Sequence, residues 1–165
     1  MSRIIPGVDA GTPIDPFQSR RQPHPPRASH RGPRMRILVT GGTGYIGCHT
    51  CLVLLERGHH VAIADNLSNS SPEVVERLQR LSGTSIALHR VDVRDEFAMF
   101  QLLKAGGFDA VVHFAALKAV GESTSKPLAY YTNNIGGLLT LARVMSERGC
   151  KTLVFSSSAT VYGTP

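Results

Sequence analysis

From Arg36 onward, short apolar runs alternate with longer stretches of helical period. Ile37-Leu38-Val39, closed by Thr40 and glycines, predicts a buried strand. Tyr45 to Arg57 predicts a helix with Ile46, Val53 and Leu54 on its apolar side and Gly58 beyond its end. His60 to Ala64 predicts a second strand. Ser71-Pro72-Glu73 reads as a helix start, with Ser71 as N-cap and Pro72 in the first turn, and the helix should run to Leu81. A third strand is expected over Ser85 to Val91, a helix over Asp95 to Lys104 before the Gly106-Gly107 break, and a fourth strand over Asp109 to His113. Pro127 should open one long helix reaching Arg148, with Gly149 closing it. Lys151 to Phe155 is the fifth strand.

Continuous apolar strands separated by helices imply a parallel sheet covered on both faces. Right-handed crossovers then give an α/β, doubly wound (Rossmann) fold, of which this chain holds the first five strands. The turn after the first strand, VTGGTGYIG, fits that fold. Gly41, Gly44 and Gly47 make GxxGxxG, and Gly42, Gly44 and Gly47 make GxGxxG, so the glycines alone leave the register open. In either register they permit a tight turn, let backbone amides approach a diphosphate, and seat the helix N-terminus against negative charge. Asp65 follows at the end of the second strand, 21 residues after Gly44. A carboxylate there accepts from an adenosine ribose and repels a 2′-phosphate, and no arginine follows nearby, so NAD is expected over NADP. Asp92, ending the third strand, is placed either for an adenine contact or as an acid before the next helix.

Composition separates the first 34 residues from the rest. They hold seven of the ten prolines and six of the eighteen Lys and Arg residues, but two acids, so their net charge is +4 and residues 35–165 carry +2 of the chain's +6. The basicity thus belongs to a Pro/Arg-rich tail, expected to be disordered, and no basic face suited to nucleic acid is expected on the folded part. The division expected is 1–34 tail and 35–165 dinucleotide-binding domain. Met35 stands directly before the first strand, leaving Met1 and Met35 as candidate starts. The tail lacks the apolar stretch of a secretory signal, and no run of about 18 apolar residues suggests a membrane span. Three cysteines without a secretion signal point to a reducing, cytoplasmic setting. Cys48 and Cys51 form a CxxC, but no second ligand pair accompanies it and no metal is expected.

VTGGTGYIG, ADNLSNSS, HFAALKAVGES, PLAYYTNN and FSSSATVYG occur in that order. Together they resemble the extended short-chain dehydrogenase/reductase superfamily and, within it, the UDP-glucose 4-epimerases, over Met35 to Pro165. The resemblance implies NAD as cofactor, held by Tyr45 and Ile46 in the turn. Asp65, Asn66, Leu67, Ser68, Asn69 and Ser70 would surround the adenosine ribose, with Asp92 and Val93 beside the adenine. Phe114, Ala115, Ala116, Leu117 and Lys118 would lie on the nicotinamide side, with Asn133 in support. Ser158 would hydrogen-bond the sugar hydroxyl being oxidised and is the catalytic and substrate-binding position implied. Ala116, Cys48 and Gly136 depart from that family's usual glycine, serine and asparagine.

The implied activity is interconversion of UDP-galactose and UDP-glucose by transient oxidation at C4, with a homodimer for the full-length enzyme. The implied base is the tyrosine of a YxxxK pair. Here Tyr45, Tyr130 and Tyr131 are followed four residues on by His49, Asn134 and Ile135, and Tyr162 by three residues only. The expectation is an N-terminal fragment with little or no epimerase activity and an exposed, association-prone edge at Lys151 to Phe155. The alternatives are another NAD-dependent nucleotide-sugar epimerase or dehydratase, and a non-catalytic NAD-binding module.

Overall fold

The structure, a computed structural model, describes residues 32–157. The expectations for most of the tail, for Ser158 and for the TVYG stretch lie outside the described residues. Strands β1 (Arg36–Thr40), β2 (His60–Ala64), β3 (Ala87–His89), β4 (Ala110–His113) and β5 (Thr152–Phe155) form one parallel sheet in the order β3-β2-β1-β4-β5. Chain order reverses across β1 and β4, so the crevice beyond their C-terminal ends is the topological switch point of the sheet.

Alternation along the central strand fills both faces. Ile37 and Val39 of β1 join Ile63 of β2, Cys51 of helix α1 (Tyr45–Glu56) and Val75 and Leu78 of α2 (Glu73–Ser82) in one core. Leu38 faces the other way, onto Met99 and Leu102 of α3 (Glu96–Gly106) and Leu141 and Val144 of α6 (Gly137–Glu147). Leu38 and Val39 are both fully buried, which is why this strand reads as a continuous apolar run.

Helix ends follow local chemistry. Asp95 caps α3 by accepting from Ala98 N at 3.0 Å, whereas α2 starts at Glu73 with Pro72, not Ser71, at its cap position, Ser71 Oγ accepting from Glu73 N at 3.3 Å. Gly83 and Gly107 end α2 and α3 in the left-handed conformation.

Further expectations need correction. In α1, Ile46 and Val53 are exposed, and the buried residues are Gly47 and Cys51. The third strand is shorter than Ser85 to Val91, because Ile86 N donates to the Gln79 side chain at 2.9 Å and leaves the ladder. The single helix expected from Pro127 to Arg148 is instead α5 (Pro127–Tyr130), a π-helical turn (Tyr131–Gly136) and α6. It is preceded by α4 (Val120–Ser125), an element that was not anticipated. Period arguments assume 3.6 residues per turn and do not register a π turn, whose bonds span one residue more.

Two apolar surfaces are uncovered among the described residues. Among the described residues β5 is one of two edge strands, with Val154 54% and Phe155 49% exposed, in line with the exposed edge expected at Lys151 to Phe155. Leu128, Tyr131, Ile135 and Leu139 stand exposed at helical spacing along α5, the π turn and α6. No described helix is long and apolar enough to cross a membrane.

Candidate functional site

A cleft of about 640 Å³ opens at the switch point. Its first wall is the turn between β1 and α1. Gly41, Gly44, Tyr45, Ile46 and Gly47 line it, whereas Gly42 packs against the Ile63 side chain. The register facing the cleft is therefore GxxGxxG. Gly41 has φ +68°, and a Cβ there would stand 2.6 Å from Ala115 N. A Cβ on Gly47 would run into the Gly41 carbonyl oxygen. These two glycines are thus demanded by backbone-on-backbone packing within the protein itself.

The N-terminus of α1 has Gly44 as its cap residue, no side-chain cap bond and no acid in its first turn. Its first amides are left for an anion, as a diphosphate site requires. These features fit a dinucleotide.

The second wall follows β2. Asp65, 7% exposed, takes Thr43 N on Oδ2 at 3.1 Å and Leu67 N on Oδ1 at 2.9 Å. The carboxylate thereby ties the glycine turn to the loop after β2. Leu67 is held at φ +58°, a left-handed conformation that this bond supports. Asn66 repeats the device one residue on, accepting from Ser68 N at 3.1 Å. Asp65, Asn66, Ser68 and Asn69 line the cleft. Leu67 and Ser70 do not, and Ser70 Oγ instead meets Thr43 Oγ1 at 2.6 Å and donates to Asp65 Oδ1 at 3.4 Å. Thr43 was not anticipated; only its place in the turn opposite the acid could have suggested it.

Val93 reaches the cleft and Asp92 does not. The Asp92 carboxylate is gripped by Arg94 through Nε at 2.8 Å and a terminal nitrogen at 2.6 Å, and Asn66 Nδ2 donates to it at 3.0 Å. The Arg94 hydrogen bonds hold this carboxyl well below the usual range, against a smaller opposing push from burial.

The third wall is the segment after β4. Phe114, Ala115, Ala116, Leu117 and Lys118 line the cleft, as does Asn133 from the π turn. His113 lies beneath them, 1% exposed, with Nδ1 2.6 Å from Thr40 Oγ1 and its ring stacked on Phe155 at 5.9 Å. Burial lowers its pKa to about 4, assisted by the Lys118 charge, so it is neutral at pH 7.

Glu122 and Tyr130 also reach the cleft, and neither was assigned a role from the sequence. Tyr130 OH donates to Ala119 O at 2.9 Å and to Glu122 Oε2 at 3.1 Å. Desolvation and the Glu122 carboxylate raise the Tyr130 pKa, which keeps it a phenol and unsuits it as a base. Their motif was visible, but no periodic or spacing signal distinguishes a rim residue from a solvated one.

Comparison with known proteins gives the same reading. The chain is 54% identical over 132 residues to UDP-glucose 4-epimerase 2 of Arabidopsis thaliana, covering 78% of this chain and 38% of that protein. It is 52% identical over 129 residues to a UDP-glucose 4-epimerase of Klebsiella pneumoniae, covering 93% of the latter. Among solved structures, the UDP-glucose-4-epimerase of Stenotrophomonas maltophila with bound NAD and formylated UDP-arabinopyranose superposes with a TM-score of 0.78 at 50% identity, over 80% of this chain and 39% of that one. The chain thus spans about 38% of the length of most of these relatives. The model of the NAD dependent epimerase/dehydratase family matches residues 37–165, from the first residues of β1 through every wall of the cleft, and the chain belongs to that family.

Proposed function

We infer that these residues form the NAD-binding half of a UDP-glucose 4-epimerase, which interconverts UDP-glucose and UDP-galactose. The observation that carries this reading is the convergence of an uncapped helix N-terminus, the buried Asp65 and the Phe114–Lys118 segment on one cleft at the switch point. The relatives' names supply the sugar nucleotide. NAD, when bound, supplies reversible hydride acceptance at the sugar C4. The chain's own residues bind and orient. The α1 amides would face the diphosphate, and Asp65 would accept from the adenosine ribose with the lone pair that Thr43, Leu67 and Ser70 leave. Lys118 would bring a positive charge to the nicotinamide side. Ser158 would hydrogen-bond the reacting hydroxyl.

The role of base falls to a Tyr-x-x-x-Lys pair that these 165 residues do not contain. Residues 1–34 are proposed as a tail separate from the domain at 35–165. The exposed stripe Leu128, Tyr131, Ile135 and Leu139 supports a homodimer of the whole protein. A cytoplasmic place in galactose metabolism follows from the same reading.

The test is calorimetric titration of the 165-residue chain with NAD+ and NADP+, beside an assay of UDP-galactose conversion. NAD+ should bind more tightly than NADP+, Asp65→Asn should weaken NAD+ by about tenfold (roughly 1.4 kcal/mol), and no conversion should be seen. Equal affinity for the two cofactors, or robust conversion, would overturn it.

A further inference from the structure

The amide of Asn134 sits on the π turn opposite the segment that lines the third wall. Its Oδ1 accepts from Leu117 N at 2.8 Å, and its Nδ2 donates to Leu117 O at 3.0 Å. One side chain thus pairs both backbone groups of a residue 17 positions away, as a neighbouring strand would. This pairing fixes which end of the amide is oxygen, because a flipped Asn134 would set N–H against N–H and oxygen against oxygen. The same Oδ1 takes a second donor, Asn133 Nδ2, at 3.0 Å. The orientation of Asn133 is therefore inherited. Leu117 sets Asn134, and Asn134 sets Asn133. What Asn133 has left for the cleft is its carbonyl oxygen and one N–H. A hydroxyl, which both donates and accepts, satisfies that pair; a phosphate oxygen does not.

The helix geometry serves this arrangement. Both asparagines lie inside the π-helical turn Tyr131–Gly136, where the extra residue per turn changes the direction in which successive side chains project. Close approach behind the turn is also required, since a Cβ on Gly137 would stand 2.7 Å from Val93 Cγ2. The neighbouring Gly136 has nothing within 4 Å of such a Cβ, so that departure from the related enzymes is sterically free.

We propose that Asn134 is a positioning residue for the cofactor cleft: it clamps the Phe114–Lys118 segment through Leu117 and presents Asn133 to a ribose hydroxyl. This rests on the cleft's reading as an NAD site. The test uses the 165-residue chain, with NADH titrated by fluorescence and amide exchange at Leu117 followed by NMR. Asn134→Leu keeps the shape and removes the polar atoms. It should speed Leu117 exchange and weaken NADH, each by at least tenfold. Val144→Ala, a cavity in the core under α6, serves as the control for general destabilisation and should leave NADH affinity within twofold. Asn134→Asp keeps an acceptor for Leu117 N but sets an oxygen against Leu117 O. It should leave the Leu117 amide protected and weaken NADH by roughly threefold.

A folded Asn134→Leu chain that binds NADH like the parent, or whose loss merely tracks its melting temperature as Val144→Ala does, overturns the proposal. Should Asn134→Leu not fold, unchanged NADH affinity in Asn134→Asp overturns it instead. Should the parent chain bind no NADH, the cofactor reading fails separately. Leu117 exchange then decides the clamp, and unchanged exchange in Asn134→Leu refutes it.

Discussion

The two long walls of the cleft are built from different materials. The wall after β1 is held by backbone. Gly41 and Gly47 are there because neighbouring main-chain atoms leave no room for a Cβ, and the turn lies directly against Ala115. The wall after β4 is held by side chains: Asn134 on Leu117, and Tyr130 on Ala119 and Glu122. Backbone contact of the first kind tolerates almost nothing, because a carbonyl fixed in a turn cannot move aside. Side-chain clamps of the second kind can be weakened in steps. One cleft can thus pair a rigid wall with an adjustable one.

The largest expected effect comes from Gly47→Ala. A better helix former would add about 1 kcal/mol of stability at an unstrained site. Here the new methyl meets the Gly41 carbonyl oxygen, and overpacking of this kind costs about 3 kcal/mol. The steric term should win. Urea unfolding should show a clearly lower midpoint, and NADH binding should be lost with it. A midpoint at or above the parent's would show that the turn is as yielding as the opposite wall.

His113 sits between the walls and gives an intermediate effect. Its pKa is lowered to about 4 in the folded chain against an ordinary value of 6.5. The unfolded chain therefore binds the proton more readily between those values. Stability is fully present above pH 6.5 and falls as pH drops from 6.5 toward 4, by up to ~3 kcal/mol. His113→Gln keeps a partner for Thr40 and should flatten this part of the stability profile. A parent chain whose melting temperature is unchanged from pH 7 to pH 5 would contradict the assignment.

Arg94→Ala should have the smallest effect. The pair with Asp92 is short, but Arg94 is 45% and Asp92 26% exposed, so solvent screening limits its worth to less than ~1 kcal/mol. Because Asp92 is held below its ordinary value, this contribution is present at neutral pH and is lost as acid protonates the carboxylate. Arg94→Ala should shrink the acid-dependent loss while barely changing stability at pH 7. A loss of several kcal/mol at neutral pH would mean that the Asn66-Asp92-Arg94 chain supports the cleft as firmly as the glycine turn does.

Much of the framework was legible in the chain. Apolar runs such as Ile37-Leu38-Val39 and the VTGGTGYIG turn carry local instructions: burial on both faces, and a turn that only glycine can make. A parallel sheet covered on both faces and Asp65's place at the end of β2 follow from those instructions together with handedness, whereas the strand order is supplied by the structure. Residues in direct sequence motifs therefore mostly reached the cleft.

The departures have a common cause. Asp92 and Ser70 are in the motif but spend their polar atoms on protein partners, and Asn66 beside Asp92 and Thr43 beside Ser70 become neighbours only when the loops meet. The π turn and the Asn134 clamp depend on a contact across 17 residues, which no local period encodes. Hydrophobic period and glycine placement are written residue by residue and determine the sheet and the turn. Which polar groups are spent inside the protein and which are left for a ligand is decided only when the walls close on one another, because a hydrogen bond needs both of its partners in place.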